Sequence, residues 1–252
     1  MEKLLGLPVL ASEHGQHVDQ LIWYVHLLMG ALFVGWLAYF LLVLFKFRAS
    51  RSPKADYIGA QTHATTWVEV GVAAVEAGLL IIIAVPFWSK LVDNFPKETE
   101  AVVVKVAAQQ FAWNFRYTGP DGEFGKQDIK LVSASNSYGM VQDDPAGQDD
   151  IQTLNEMRVP LNKSVVLHIT SRDVIHSFKV AAFRLTQDAI PGMMIPTHFK
   201  ATKTGRYQII CAQLCGNGHY GMASGFVYVD TEEDYNNWIQ SKIGGGGATS
   251  FE

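Results

Sequence analysis

Four residues able to bind a metal lie close together near the end of the chain: Cys211, Cys215, His219 and Met222. They fall in the run Cys-Ala-Gln-Leu-Cys-Gly-Asn-Gly-His-Tyr-Gly-Met, and the two cysteines are the only ones in the protein. Two thiols, an imidazole and a thioether form the ligand set that soft copper prefers. The residue types and their spacing therefore indicate a metal site.

Other interpretations of this cluster stay open from the residues alone. Two cysteines in an extracellular domain could form a disulfide, and zinc could be held by Cys and His, although zinc seldom uses Met. Met222 could also be an ordinary core residue. His176, in the upstream run Asp-Val-Ile-His-Ser-Phe, favours copper, because it precedes a strand–loop–strand region that ends in the cysteine loop. One thiolate is enough to bind one copper ion, and two thiolates could bridge a pair of copper ions.

The composition restricts the classes of protein to which the chain can belong. It has 252 residues, a formal net charge of −4, 48% hydrophobic residues and 17% charged residues. The length allows one or two domains, and the hydrophobic content excludes a disordered chain. The charge gives no sign of nucleic-acid binding.

Two apolar segments are predicted to cross a membrane. Residues 21–45 contain no Asp, Glu, Lys or Arg, and at about 1.5 Å per residue they span roughly 37 Å, enough for a bilayer core of about 30 Å. Residues 70–88 form a second apolar run that is interrupted only by Glu76.

The segment between these helices sets the expected orientation. Its charged residues are four bases and a single acid, Lys46, Arg48, Arg51, Lys54 and Asp56. Basic loops stay in the cytoplasm, so both termini and the C-terminal domain should lie outside, on the periplasmic side of a bacterial cell membrane.

Two carboxylates, Glu69 and Glu76, lie seven residues apart and therefore share one helical face. Intramembrane carboxylates usually face protein or water rather than lipid. Glu69 could also lie at the water boundary, but the pair predicts a membrane partner on this face.

After Pro96 the chain alternates short apolar runs with turn signals, which predicts an all-β sandwich or barrel. The expected strands are 101–107, 110–117, 165–170, 178–183, 198–202, 206–210 and 225–229. Alternating aromatics in 110–117 predict a half-buried strand, and the acidic stretch 133–155 predicts a surface loop. Thr231 should cap a helix that ends near residue 243, before a flexible glycine tail at 244–247.

These patterns divide the chain into four parts. They are an outer N-terminal segment (1–20), a transmembrane hairpin (21–95), a β domain (96–230), and a helix with a tail (231–252).

Two membrane helices followed by a β-sandwich with His…Cys-x₃-Cys-x₃-His-x₂-Met resemble subunit II of haem–copper cytochrome c oxidases, over about residues 21–238. The resemblance implies a cupredoxin-like fold that carries the dinuclear copper centre CuA, with two copper ions per chain. It implies that the thiolates of Cys211 and Cys215 bridge the two copper ions. His176 and Met222 would complete the first copper, and His219 and the backbone carbonyl of Gln213 would complete the second.

The function implied by the resemblance is that of an electron-inlet subunit. Such a subunit accepts electrons from cytochrome c or a similar donor and passes them to haem in subunit I, which reduces oxygen to water and pumps protons. The alternative is a membrane-anchored copper carrier or oxidase assembly factor. A carrier would not purify in stoichiometric amount with a haem-bearing large subunit.

The chain departs from the family pattern at three positions. Gln213 stands where most relatives have a Glu that helps to bind magnesium at the subunit I interface, so magnesium is only a weak expectation. Phe111 replaces the Trp that accepts electrons, whereas Trp113 matches, and we expect electron inlet and transfer at these two residues. Glu76 replaces a Pro, while Glu69 matches a Glu at a proton channel and is the expected site of proton uptake.

Overall fold

The computed structural model describes residues 2–54, 57–59, 61–133 and 135–243. Asp56 and the glycine tail predicted at 244–247 lie outside the described residues. The chain forms two compact units, His17–Lys90 and Met1–Gln16 with Leu91–Glu252. We refer to them as the helical unit and the β unit.

The helical unit is built from two long helices. After the short α1 (Glu2–Leu5), α2 covers Gly15–Lys46, and the second long helix covers Ala64–Asp93. Both helices are long and apolar enough to cross a membrane. Both extend beyond the predicted apolar runs, because polar residues at the ends of a run need not stop a helix.

The second long helix changes its hydrogen-bond spacing along its length. It consists of α3 (Ala64–Gly78), a π-helical segment (Leu79–Ala84) and α4 (Val85–Asp93). The irregular segment lies just before Pro86, which has no N–H to donate and whose ring crowds the carbonyl four residues earlier.

The β unit consists of two five-stranded sheets. The first has the order β3-β2-β1-β5-β8 and the second the order β4-β10-β9-β6-β7. The strands are β1 (Val102–Gln109), β2 (Ala112–Tyr117), β3 (Ile151–Leu154), β4 (Glu156–Pro160), β5 (Ser164–Ser171), β6 (His176–Val180), β7 (Leu185–Ala189), β8 (Ile195–Lys200), β9 (Gly205–Cys211) and β10 (Gly225–Asp230).

The pairing is mostly antiparallel, but β1 pairs with β5 and β10 pairs with β4 in parallel. The core contains large apolar side chains with no exposed surface, among them Trp113, Phe115, Phe178 and Phe183. The expected fold class, a two-helix hairpin followed by an all-β sandwich, is confirmed.

Strand β2 differs from the prediction. The alternating aromatics predicted a half-buried strand, whereas every side chain of Ala112–Tyr117 is buried. One face packs in the core, and the other is covered by the segment that connects β2 to β3. There the Tyr138 hydroxyl donates to the carbonyl of Asn114 at 2.7 Å, and the Ser137 hydroxyl donates to the Asn114 side chain at 3.0 Å.

The acidic stretch 133–155 is therefore not a simple surface loop, and this prediction was wrong. Asp150 forms an ion pair with Arg116 in which neither side chain is exposed. Asp144 is buried and accepts from the Lys126 N–H at 2.6 Å. The stretch also ends in β3, which pairs with β2. Its acids were taken for solvated groups because their partners, at residues 116 and 126, are distant in sequence.

The N-terminal segment packs within the β unit. Ala11 is fully buried and forms backbone hydrogen bonds with Ala182 (2.8 Å) and Thr202 (2.9 Å). The Ser12 hydroxyl donates to the carbonyl of Phe183 at 2.6 Å. No pattern in residues 1–20 predicted this association, because the short polar and apolar residues there lack a strand or helix period.

The C-terminal helix α5 covers Glu232–Ile243. Thr231 caps it as predicted, because its hydroxyl accepts from the Asp234 N–H at 3.1 Å. Three acids in the first turn suit the positive end of the helix dipole.

Candidate metal centre

The predicted ligands come from two neighbouring strand ends and one loop. Cys211 is the last residue of β9, and His176 is the first residue of β6. These strands pair, with Phe178 of β6 opposite Cys211. Cys215 follows in the loop, and a short 3₁₀ segment, His219–Ser224, leads into β10. The sheet therefore places an imidazole beside a thiol that lies 35 residues away in sequence.

Three metal-binding atoms converge. The donor atoms of His176, Cys211 and Cys215 all lie within 4.8 Å of one another. Cys211 Sγ lies 3.9 Å from His176 Nδ1, and Cys215 Sγ lies 3.3 Å from His219 Nδ1. The Cys211 thiol donates to the backbone carbonyl of Gln213 at 3.0 Å, so this carbonyl also faces the cluster. The thiols are free and are not joined in a disulfide.

The cluster is buried although its loop is on the surface. His176 and Met222 have no exposed surface, and the two cysteines are almost fully buried. Burial raises the pKa of the Cys215 thiol, and the neighbouring Cys211 thiol raises it further. A bound soft cation removes this penalty, because thiols that coordinate a metal are deprotonated. The donor set and its burial therefore fit a copper site.

Asp173 orients His176. Its carboxylate Oδ1 lies 2.8 Å from His176 Nε2, so Nε2 carries the proton and Nδ1 is left to face the thiols. Burial alone would raise the pKa of Asp173, but hydrogen bonds from the Gln110 N–H, His176 and the Val174 N–H hold that pKa below its usual value. The carboxylate is therefore charged at neutral pH and suited to hold the imidazole.

Trp113 supports the other side of the cluster. Its indole Nε1–H donates to the backbone carbonyl of Met222 at 2.9 Å. Its ring lies edge-on to His176, with centroids 6.2 Å apart, and edge-on to Phe178 at 5.3 Å. Trp113 is fully buried and contacts two predicted ligands, His176 and Met222.

Phe111 is half-buried and packs on the ligand loop. A side-chain carbon at Gly218 would lie 2.4 Å from Phe111 Cδ2, and one at Gly216 would lie 3.1 Å from Phe111 Cζ. Only glycine lets this ring approach the loop backbone so closely. Gln213, by contrast, is exposed, and only its carbonyl turns inward.

Glu69 and Glu76 belong to α3 in the helical unit, and both are exposed within that unit. They lie on one helical face, as their spacing predicted.

Two residues that contact the ligands were not identified from the sequence. Asp173 could have been found, because an acid three residues before a candidate His ligand is a common type of outer partner. Gln110 gave no such signal, because the carbonyl to which it donates belongs to Cys215, 105 residues later.

Comparison with known proteins identifies the family. The family described as "Cytochrome C oxidase subunit II, periplasmic domain" matches residues 102–227. The alternative cytochrome c oxidase subunit 2 of Bradyrhizobium diazoefficiens is 32% identical over 231 residues, which cover 90% of this chain and 80% of the relative. The cytochrome c oxidase subunit 2 of Thermostichus vulcanus is 41% identical over 137 residues, 54% of this chain and 32% of that protein.

A similar solved structure is the periplasmic domain of subunit II of cytochrome oxidase from Bradyrhizobium japonicum. It is 29% identical, with a TM-score of 0.43, and the match covers 60% of this chain and 99% of that one. The family match over 102–227 includes every predicted copper ligand. The chain belongs to the cytochrome c oxidase subunit II family and is thus a subunit of an oxidoreductase.

Proposed function

We propose that this chain is the electron-inlet subunit of a haem–copper terminal oxidase. It receives electrons from cytochrome c or a similar donor at a dinuclear copper centre and delivers them to haem in subunit I, where oxygen is reduced to water and protons are pumped. The main support is the convergence of one ring nitrogen of His176 with the Sγ atoms of Cys211 and Cys215 within 4.8 Å.

As the family resemblance implies, a copper pair would be held by two thiolates, two imidazoles, one thioether and one backbone carbonyl: those of Cys211, Cys215, His176, His219, Met222 and Gln213. Bound at this site, a copper pair supplies one-electron redox chemistry. The neutral, exposed Gln213 side chain lacks the charge of the family's Glu, which argues against a magnesium ion beside it.

The chain's own residues would keep this chemistry fast. His176 is fixed by Asp173 on one side and contacts the Trp113 ring on the other. Rigid, buried ligands change position little when an electron arrives or leaves. The hydrogen bonds around the sulfur atoms, such as that from the Ser177 N–H to Cys211 Sγ at 3.5 Å, tune the potential.

Electrons would reach the centre through aromatic side chains. Phe111 packs on the glycines of the ligand loop and is partly exposed, and Trp113 lies two residues further along, in the core. We propose Phe111 as the donor-facing residue and Trp113 as the transfer residue beside His176.

The helical unit would anchor the chain beside subunit I. We propose that Glu69 takes up protons at the cytoplasmic side, because it matches the family's Glu and lies near the start of α3. The basic segment after α2 supports a cytoplasmic location for that side, and the proposal puts the β unit and both termini in the periplasm.

Two histidine variants test the ligand assignment. His176→Gln removes a proposed ligand, whereas His168→Gln removes an imidazole of the same unit that pairs with Glu98 instead. Metal analysis of the purified full-length chain should give two coppers for the wild type and for His168→Gln, and fewer for His176→Gln. Equal copper in all three proteins would contradict the assignment.

A further inference from the structure

Gln110 contacts both ligand-bearing segments of the candidate metal centre at once. We propose that Gln110 is a positioning residue that holds the His176 segment and the Cys215 loop in register before copper binds. This inference rests on the proposed function, because it assumes that the cluster holds copper.

The first connection runs through the backbone of Gln110. Its N–H donates to Asp173 Oδ2 at 2.7 Å. The other oxygen of the same carboxylate lies 2.8 Å from His176 Nε2. The Asp173 carboxylate therefore links the Gln110 backbone to the His176 imidazole. Because of this link, the position of the backbone determines where Nδ1 points.

The second connection runs through the side chain of Gln110. Its amide Nε2 donates to the backbone carbonyl of Cys215 at 2.6 Å. The approach is close: a side-chain carbon at Gly216 would lie 2.8 Å from that same Nε2. Gly216 has a φ of +138°, a backbone conformation that residues with a side chain rarely adopt. This position therefore needs glycine for its conformation as well as for space.

The Phe111 ring packs on the glycines of the Cys215 loop, and the Ala212 N–H donates to the Ser177 carbonyl at 2.9 Å, but Gln110 supplies the hydrogen bond to the carbonyl of Cys215 itself. Residues 212–214 and 216–217 are exposed, and only Cys215 is buried between them. Gln110 lies just before β2, whose side chains are all buried. The side-chain amide thus fixes an otherwise exposed loop to the most deeply buried strand of the unit.

The same residue therefore sets the separation between one thiolate and one imidazole. A bound copper pair would be sensitive to this separation, because it would need the thiolate and the imidazole at the same time. Removal of the side-chain amide should release the loop while it leaves the backbone link to Asp173 in place.

The test compares the full-length wild type with Gln110→Ala and with a matched control, Gln127→Ala. The Gln127 amide also donates to a backbone carbonyl, that of Tyr138 at 3.2 Å, in a part of the β unit without predicted ligands. Three quantities are measured: the rate of copper removal by a chelator, the copper hyperfine pattern in EPR, and the rate of thiol alkylation in copper-free protein.

We expect Gln110→Ala to lose copper about tenfold faster, in line with other outer partners of metal ligands, with an altered hyperfine pattern. In copper-free protein its thiols should be alkylated about fivefold faster, the effect of one lost hydrogen bond. Gln127→Ala should match the wild type in all three measurements. If Gln110→Ala does not fold, Gln110→Glu keeps the volume and replaces the donor with a carboxylate, and it should show the same changes.

Wild-type rates and an unchanged hyperfine pattern in a folded Gln110 variant would overturn the positioning role. Failure of the proposed function has a different result, because the wild type itself would then bind fewer than two coppers. In that case the alkylation rates of the copper-free proteins still decide whether Gln110 holds the loop.

Discussion

At the residue scale, the Asp173 carboxylate determines which nitrogen of His176 faces the thiols. The carboxylate accepts from Nε2, and the resulting tautomer leaves the Nδ1 lone pair directed at Cys211. A histidine without such a partner could rotate or change tautomer, and either change would remove the ligand atom from the cluster.

Substitution of this partner should weaken copper binding without loss of the fold. We expect Asp173→Asn to lower copper affinity about tenfold, since outer partners typically contribute 10–100-fold. Competition with a chelator measures the affinity. Asp188→Asn is the control, because Asp188 is an exposed acid on β7 and its loss changes the net charge equally. If both variants lose copper affinity to the same extent, the loss comes from the change in net charge and not from the orientation of His176.

The indole of Trp113 provides a second test at this scale. Trp113→Phe removes the donor to the Met222 carbonyl and leaves a buried acceptor unsatisfied, which costs about 1–3 kcal/mol of unfolding free energy. Trp238→Phe is a matched control, because Trp238 is buried but its Nε1 has no hydrogen-bond partner among the described residues. Denaturant unfolding of both variants should show the larger loss for Trp113→Phe. The reverse order would argue against a supporting role for this hydrogen bond.

The sequence indicated the proposed ligands but not the residues that hold them in place. Four of the proposed ligands lie close together in the sequence, so their spacing alone identifies them as candidates: Cys211, Cys215, His219 and Met222. Gln110 acts through partners 63 and 105 residues away, and no local pattern marks such contacts.

At the element scale, the segment between β2 and β3 acts as a cover for the first sheet. It buries the outer face of β2, and its main electrostatic contact is the Arg116–Asp150 ion pair. Burial raises the pKa of Asp150, and hydrogen bonds from Arg116 and from the Gly125 N–H oppose that rise. This element was invisible in the sequence because acidic, glycine-rich composition usually marks solvated loops.

This cover can be tested by removal of one charge and then both. Arg116→Met should cost about 3–5 kcal/mol of unfolding free energy, because it leaves the Asp150 carboxylate buried without its partner. Arg116→Met with Asp150→Leu should regain part of this loss, since no charge is then buried alone. Chemical denaturation of the full-length chain measures both. If Arg116→Met is as stable as the wild type, the ion pair does not hold the segment between β2 and β3 against the sheet.

The face of α3 that carries two carboxylates is tested in the assembled enzyme. Glu69→Gln should slow turnover and proton uptake, because the neutral amide cannot exchange a proton. Glu76→Gln is the control on the same face, two turns further along the helix. Unchanged proton uptake in Glu69→Gln would exclude this role.

At the scale of the whole molecule, the helical unit has a large exposed apolar surface. Its two long helices expose nearly all their apolar side chains, and α3 carries two carboxylates on one face. Such a surface suits a lipid bilayer, and we expect a partner for its acids. The division into an apolar helical part and a β part was predictable from hydropathy and strand periodicity. The burial of the N-terminal segment in the β unit was not predictable, because it rests mainly on backbone hydrogen bonds, which any sequence can form.

We propose that one chain holds two coppers that share an electron. Copper analysis and EPR of the oxidase purified from native membranes measure this. We predict two coppers per copy of this chain, a haem-bearing large subunit in equal amount, and a hyperfine pattern from one unpaired electron spread over two copper nuclei. A single copper per chain with a mononuclear signal would show that no copper pair shares an electron in this chain.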